Sequence, residues 1–337
     1  MPIEFKISSK IRNNQIGSWA IDGDNILVNL LFHQSISVNK VLSDLNIVSG
    51  ISVREQYKTG NLMTLSIPSD KIDEVANISS VKWIELIQEP SVKEDLKGKS
   101  IHRSSNLDTQ TPSGRNYTGA GIGVIVRDDG IVGPHIDFQG RIDNSGSSGT
   151  GQTHGDGVGG ILAGAGNLDP TKRGMAAGSD VYVTNYSSSF LDAATTNLLY
   201  NGTAQITNSS YGDGCNGGYT SISSTVDSQI NTYTSVLHVF SAGNSGTSNC
   251  GYGAGSGWGN ITGGHKQGKN VIATANVFYD GSLVSSSSHG PATDGRIKPD
   301  ITAHGQGQLS TDENNAYQSF GGTSGAAPGI AGVSAQL

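Results

Sequence analysis

A serine, a histidine and an aspartate, far apart in the chain, are the residues here best suited to covalent chemistry. Ser324 lies in Gly321-Gly322-Thr323-Ser324-Gly325-Ala326-Ala327-Pro328-Gly329, ahead of the apolar spacing Ile330, Val333 and Leu337. That pattern predicts a helix opening at the hydroxyl residues, where free backbone N–H groups and the helix dipole favour negative charge. Chemistry that builds an oxyanion on a carbonyl needs such a place. Ser324 or Thr323 can equally be only a helix N-cap, the commoner use of these residues. Asp128 and His154 decide between the two readings. A hydroxyl that attacks, an imidazole that takes its proton and a carboxylate that orients the imidazole form a nucleophilic triad, and Asp128, His154 and Ser324 supply all three.

The elements that must position these groups read as α/β. From residue 115 onward, strand-like runs (123–127, 180–186, 205–209, 236–241, 271–275) alternate with helix-like ones (158–166, 191–200, 221–232). Such alternation predicts a mostly parallel central sheet with helices on both faces. Sites in open sheets of this kind form beyond the carboxyl ends of the strands, and Asp128, Ser210 and Asn244 all fall at such ends. Residues 1–100 read differently: strands at 25–32, 51–57, 61–67 and 81–87, the middle two joined by Lys58-Thr59-Gly60, with helices opening at Ser37 and after Pro68. The order β-α-β-β-α-β is that of a small ferredoxin-like α+β domain. Composition shifts at the same place. Residues 1–100 hold five of the 48 glycines and a net charge of -1, the remainder 43 glycines and a net of -6. We therefore expect a first domain at 1–95, a polar linker at 96–114 and a second domain at 115–337.

Charge and hydropathy exclude other classes. A net charge of -7 without a basic stripe argues against a nucleic-acid partner. No run of 18 apolar residues predicts a membrane span, and Met1-Pro2-Ile3-Glu4-Phe5-Lys6 lacks the apolar core of a secretory signal. Either the protein is cytosolic or its leader lies outside this chain. The two cysteines, Cys215 and Cys250, each sit in a Gly/Asn-rich loop. They are either two free thiols or a disulfide closing a loop worth roughly 4 kcal/mol, and exposed free thiols being a liability favours the disulfide.

Chain order separates the families that converge on a triad, and Asp…His…Ser is the order of the subtilisins. The resemblance covers the chain from about residue 20 to its end. Val124-Ile125-Val126-Arg127-Asp128-Asp129-Gly130 resembles the subtilase Asp motif, His154-Gly155-Asp156-Gly157-Val158-Gly159-Gly160 the His motif, and Gly322-Thr323-Ser324-Gly325-Ala326-Ala327-Pro328 the Ser motif. Ser287-Ser288-His289-Gly290-Pro291 and Gly295-Arg296-Ile297-Lys298-Pro299-Asp300 are similar to two further segments of these enzymes. The resemblance implies a subtilisin-like serine endopeptidase of broad specificity, with an apolar leaning at P1. Asn244, in Ser241-Ala242-Gly243-Asn244, would donate to the oxyanion. Ser210, Tyr211 and Gly212, with Ala242 and Gly243, would bind an extended substrate. Residues 1–95 would be a propeptide, an intramolecular inhibitor and chaperone that makes the chain a zymogen. The resemblance further implies a secreted monomer acting on proteins or peptides without a catalytic cofactor. It allows structural calcium without locating it, and it implies a catalytic domain truncated at the C-terminus.

Departures support a rival reading, a subtilase-like binding or scaffold module that no longer cleaves. Gly325 replaces the usual methionine after the nucleophile, His289 the usual arginine, and Arg127 puts a charge directly before Asp128. Other signals carry less. Gly155-Asp156-Gly157-Val158-Gly159-Gly160 fits a dinucleotide fingerprint but follows a polar loop instead of a strand. No histidine follows Ser324 up to Leu337, so the esterase order is not expected for this chain. His135 and Asp137 have ligand-like spacing but no convergent partners, so they are expected to pack a loop and no metal site is assigned.

Overall fold

The structure, a computed structural model, describes residues 2–57, 61–87, 97–150, 152–187, 189–215, 218–250 and 252–337. The expected turn at 58–60 and the expected boundary near residue 95 lie outside them. The chain divides into two compact units, Met1–Lys93 and Glu94–Leu337.

In the first unit α1 (Ser9–Arg12) and β1 (Ile21–Asp22) precede β2 (Asn25–Phe32), which buries alternate residues Ile26, Val28, Leu30 and Phe32. α2 (Val38–Leu45) starts where Ser37 accepts a hydrogen bond from the Lys40 N–H. β3 (Ser52–Gln56), β4 (Leu62–Pro68), α3 (Ile72–Asn77) and β5 (Val81–Leu86) follow. The strands pair antiparallel in the order β5-β2-β4-β3, with β1 on the start of β2.

The second unit begins with α4 (Lys97–Ile101) and α5 (Ser104–Leu107), where a linker is expected. Ser104 is buried and donates to Gln336 Oε1 at 2.8 Å, so this segment packs into the unit. Helices this short show no periodicity in sequence. β6 (Gly123–Asp128), β7 (Ile142–Gly146), α6 (His154–Ala163), β8 (Asp180–Asn185), α7 (Ala193–Tyr200), β9 (Ile206–Ser209), α8 (Ser221–Thr232), β10 (Leu237–Ser241), β11 (Ile272–Val277) and β12 (Ile301–His304) come next. The hairpin β13 (Gln308–Asp312) and β14 (Ala316–Phe320) then leads to α9 (Thr323–Gln336).

Seven of these strands form one parallel sheet, ordered β12-β11-β10-β9-β6-β8-β7. The strand order reverses between β9 and β6, which opens a crevice at their carboxyl ends. Val124 and Val126 pack with Val158 of α6 and Ala327 of α9, while Ile125 packs on the opposite face with Leu199 of α7. Alternation carries Arg127 to that opposite face too. There its buried guanidinium pairs with Asp192 at 2.9 Å and lies 3.9 Å over the Phe190 ring.

α6 contains four glycines, although each costs about 1 kcal/mol against alanine in a helix interior. A Cβ on Gly157 would lie 2.3 Å from the Phe320 ring, and one on Gly160 2.3 Å from Ser310 Oγ. Bare backbone lets the β13–β14 hairpin close against α6, beside His154.

Candidate active site

Asp128 is the last residue of β6 and His154 the first of α6, and their side chains meet: His154 Nδ1 lies 2.6 Å from Asp128 Oδ1. Asp129 fixes this junction. Its carboxylate accepts from the Gly155 N–H at 3.0 Å, while its own N–H donates to Asp128 Oδ1 at 2.9 Å. The first bond puts a negative charge at the start of α6, where the helix favours it. The Phe320 ring stands 5.1 Å from the imidazole. Burial works to lower the His154 pKa, but the hydrogen bond and charge of Asp128, helped by Asp129, outweigh it and raise the group above 6.5. Burial pushes the Asp128 carboxyl up, and the bond to His154 opposes that shift.

Ser324 is the second residue of α9 and is buried. Its hydroxyl donates to the Ser210 carbonyl at 3.1 Å, and among the described residues it makes no hydrogen bond to His154. Ser210 returns the bond, its hydroxyl donating to the Ser324 carbonyl at 3.3 Å. That carbonyl is available because Pro328, four residues on, has no N–H to offer it. β9 and α9 are thus tied together at the crevice.

The start of α9 accounts for its own donors. The Thr323 N–H goes to Asn244 Oδ1 at 2.9 Å and the Gly325 N–H to the Gly322 carbonyl at 3.1 Å. The Ser324 N–H is left without a partner among the described residues. Thr323 Oγ1 also donates to Asn244 Oδ1, at 3.1 Å, and accepts from the Gly243 N–H at 3.2 Å. Two donors on Oδ1 set the amide orientation, so Nδ2 is the free end of the exposed Asn244 side chain. Gly322 takes φ of 78°, and a Cβ there would lie 3.0 Å from Asn244 Nδ2.

A cavity of about 350 Å³ opens beside Ser324 and Asn244. Ser210, Tyr211 and Gly212 form one wall and Gly243 another, with Thr262 and Lys266 beyond them. Ala242 stands behind these residues and does not line the cavity. It is buried and continues the sheet, its N–H on Thr274 O at 2.8 Å and its carbonyl accepting from the Thr262 N–H at 3.1 Å, so it supports the wall from below. Cys215 borders the cavity and is joined to Cys250 by a disulfide, with Cα atoms 5.8 Å apart.

His135 and Asp137 pack a loop. Asp137 Oδ1 accepts from the Asn167 and Leu168 N–H groups, and His135 Nδ1 from the Asp137 N–H. Among the described residues the one group of three or more potential metal ligands is Asp128, Asp129 and His154, the junction already described. Sequence reading misses Thr323 as the residue that orients Asn244, and it misses Lys266. Neither carries a signal of its own, since each matters only through a partner distant in the chain.

A family model described as the subtilase family matches residues 119–337. Alkaline elastase YaB of Bacillus sp. (strain YaB) is 29% identical over 234 residues, covering 66% of this chain and 55% of that protein. A thermostable alkaline protease of Halalkalibacterium halodurans is 29% identical over 279 residues, 77% of this chain and 70% of that one. The chain thus spans about half the length of the first of these relatives. Among solved structures, the Clostridium perfringens CspB protease superposes with a TM-score of 0.54 at 17% identity, over 71% of this chain and 87% of that chain. At that identity the likeness is one of fold.

Proposed function

This chain belongs to the subtilase family, and from that premise we propose that it is a serine endopeptidase. Ser324 attacks the substrate carbonyl, and the Nε2 atom of His154 takes its proton and later passes it to the leaving amine. Asp128, on Nδ1, holds the tautomer and stabilises the imidazolium. Asn244 Nδ2 and the Ser324 N–H receive the oxyanion. The observation that carries this reading is the 2.6 Å bond between His154 and Asp128, together with a helix start at which the Ser324 N–H has no partner among the described residues. The Ser324 hydroxyl must turn from the Ser210 carbonyl to His154, and such bonds often tighten only with substrate present. All these groups come from the chain itself, so the chemistry needs no cofactor.

An extended substrate pairs with the backbone at Ser210-Tyr211-Gly212, a mode that ignores most side chains and leaves selection to a pocket or two. Residues 1–95 act as the propeptide of a secreted zymogen. Their strand order, β5-β2-β4-β3, supports a ferredoxin-like domain. Mass analysis of the incubated chain should find a cut between residues 90 and 115, and persistence of the intact chain beside active enzyme would remove the zymogen reading.

Labelling with a fluorophosphonate probe, paired with turnover of a fluorogenic peptide, tests the activity. The wild type should label and cleave. Ser324→Ala should stay unlabelled and lose about 10⁶ in kcat, the loss known for a member of this family. A Ser324→Ala chain cleaving at the wild-type rate would remove Ser324 as the nucleophile, and a wild type that neither labels nor cleaves would leave a non-cleaving module instead.

A further inference from the structure

Lys266 is fully buried and lies on the cavity that opens beside Ser324. Its Nζ donates to Thr262 Oγ1 at 2.9 Å. That hydroxyl sits between the two walls, since a Cβ built on Gly212 or on Gly243 would come within 2.5 or 2.3 Å of it. The amine therefore lies under the floor of the cavity, bonded to the hydroxyl that forms part of it and itself closed to solvent. An ammonium has three donors, and among the described residues Thr262 is the one partner Nζ has. No carboxylate of the described residues lies within ion-pair distance of it. The nearby Asp213 is engaged with His265, 3.3 Å away, and is itself partly exposed.

Among the described residues the remaining lining is neutral: hydroxyls, glycines, Tyr211, Asn244 and the disulfide-bonded Cys215. A lysine in such a place is expensive to keep, because a buried charge without a counter-ion is strongly disfavoured. Burial accordingly lowers its pKa to about 7, against the opposing field of Asp213. An apolar side chain entering the cavity would leave the amine's remaining donors unmet. A basic one would meet like charge. A carboxylate would supply both the missing charge and the missing acceptors.

We propose that Lys266 makes this cavity selective for an acidic side chain, so that the enzyme cleaves after glutamate or aspartate instead of after the apolar residues that the family resemblance implies. The inference rests on the peptidase reading above and deepens it.

Four fluorogenic peptides differing only at P1 (Glu, Gln, Leu, Lys) test it on the full chain. The Glu peptide should exceed the Gln peptide in kcat/KM by about tenfold or more, with Leu lower still and Lys the poorest. Lys266→Met keeps the aliphatic stem and removes the charge, and it should bring the Glu-to-Leu ratio below one. Wild-type enzyme that cleaves the Leu peptide as fast as the Glu peptide, or Gln as fast as Glu, overturns the acidic preference and leaves the peptidase reading intact. The wild-type series decides this even if Lys266→Met does not fold. No cleavage of any peptide, together with no fluorophosphonate labelling, would remove the peptidase reading and this inference with it.

Discussion

Thr323 holds Asn244 by one oxygen: its N–H and its hydroxyl both donate to Oδ1, at 2.9 and 3.1 Å. The asparagine thus has one end held by the protein, and its Nδ2 is without a partner among the described residues. Asn244→Asp keeps the acceptor that Thr323 binds and loses the donor. It should lower kcat by about 10²–10³, the range known for the oxyanion asparagine of a subtilisin, with little change in KM or thermal stability. Unchanged kcat in Asn244→Asp would show that Nδ2 does not serve the reaction.

The pH profile should carry the mark of the Asp128–His154 pair. A general base works unprotonated, and His154 is raised above 6.5, so kcat/KM should fall as pH drops through a midpoint above that value. Asp129→Asn retains an oxygen for the Gly155 N–H but removes a negative charge, and the midpoint should move down. A midpoint that stays put would mean the Asp129 charge is screened from the imidazole.

Gly157→Ala tests the contact between α6 and β14. In an open helix the change stabilises by about 1 kcal/mol. Here the new methyl would stand 2.3 Å from the Phe320 ring, which flanks His154. We expect a net loss of about 1–3 kcal/mol, as for other overpacked cores, and reduced turnover. Adding Phe320→Leu should restore part of the stability. Chemical denaturation of the single and double variants measures both effects.

Asp156 is raised to about 7, chiefly by burial and further by the charges of Glu313, Asp312 and Asp129, against a hydrogen bond from the Gly133 N–H. Below pH 3.8 the carboxyl is protonated folded and unfolded, and contributes nothing. From there to about 7 the unfolded chain releases the proton that the folded chain keeps, so the ionisable carboxyl lowers stability progressively, and above about 7 the penalty is complete. Asp156→Asn should therefore raise Tm clearly at pH 8 and less at pH 5. An equal Tm difference at the two pH values would rule out this linkage.

Much of the fold was legible in the chain because local patterns carry it. The apolar run at 25–32 and the helix at 221–232 stand in the structure at those residues, and the βα alternation beyond residue 115 yields the parallel sheet. The pattern fails where spacing or composition is uninformative. β7 hides in a polar Ser/Gly stretch, α4 and α5 are too short to show a period, and α6 begins at His154 itself, earlier than its apolar residues suggest.

The site divides in the same way. Residue types in order, Asp128, His154 and Ser324, are properties of the chain, as is the small-residue turn before α9. Distances belong to the fold. Only packing brings Asp128 Oδ1 to His154 Nδ1, turns the Ser324 hydroxyl to Ser210, and gives Thr323 its hold on Asn244. Lys266 is the plainest case, since one lysine between two polar neighbours reads as surface. What makes it a buried cation on a cavity is the closing of residues 210–212 and 243 around Thr262, which no local pattern encodes.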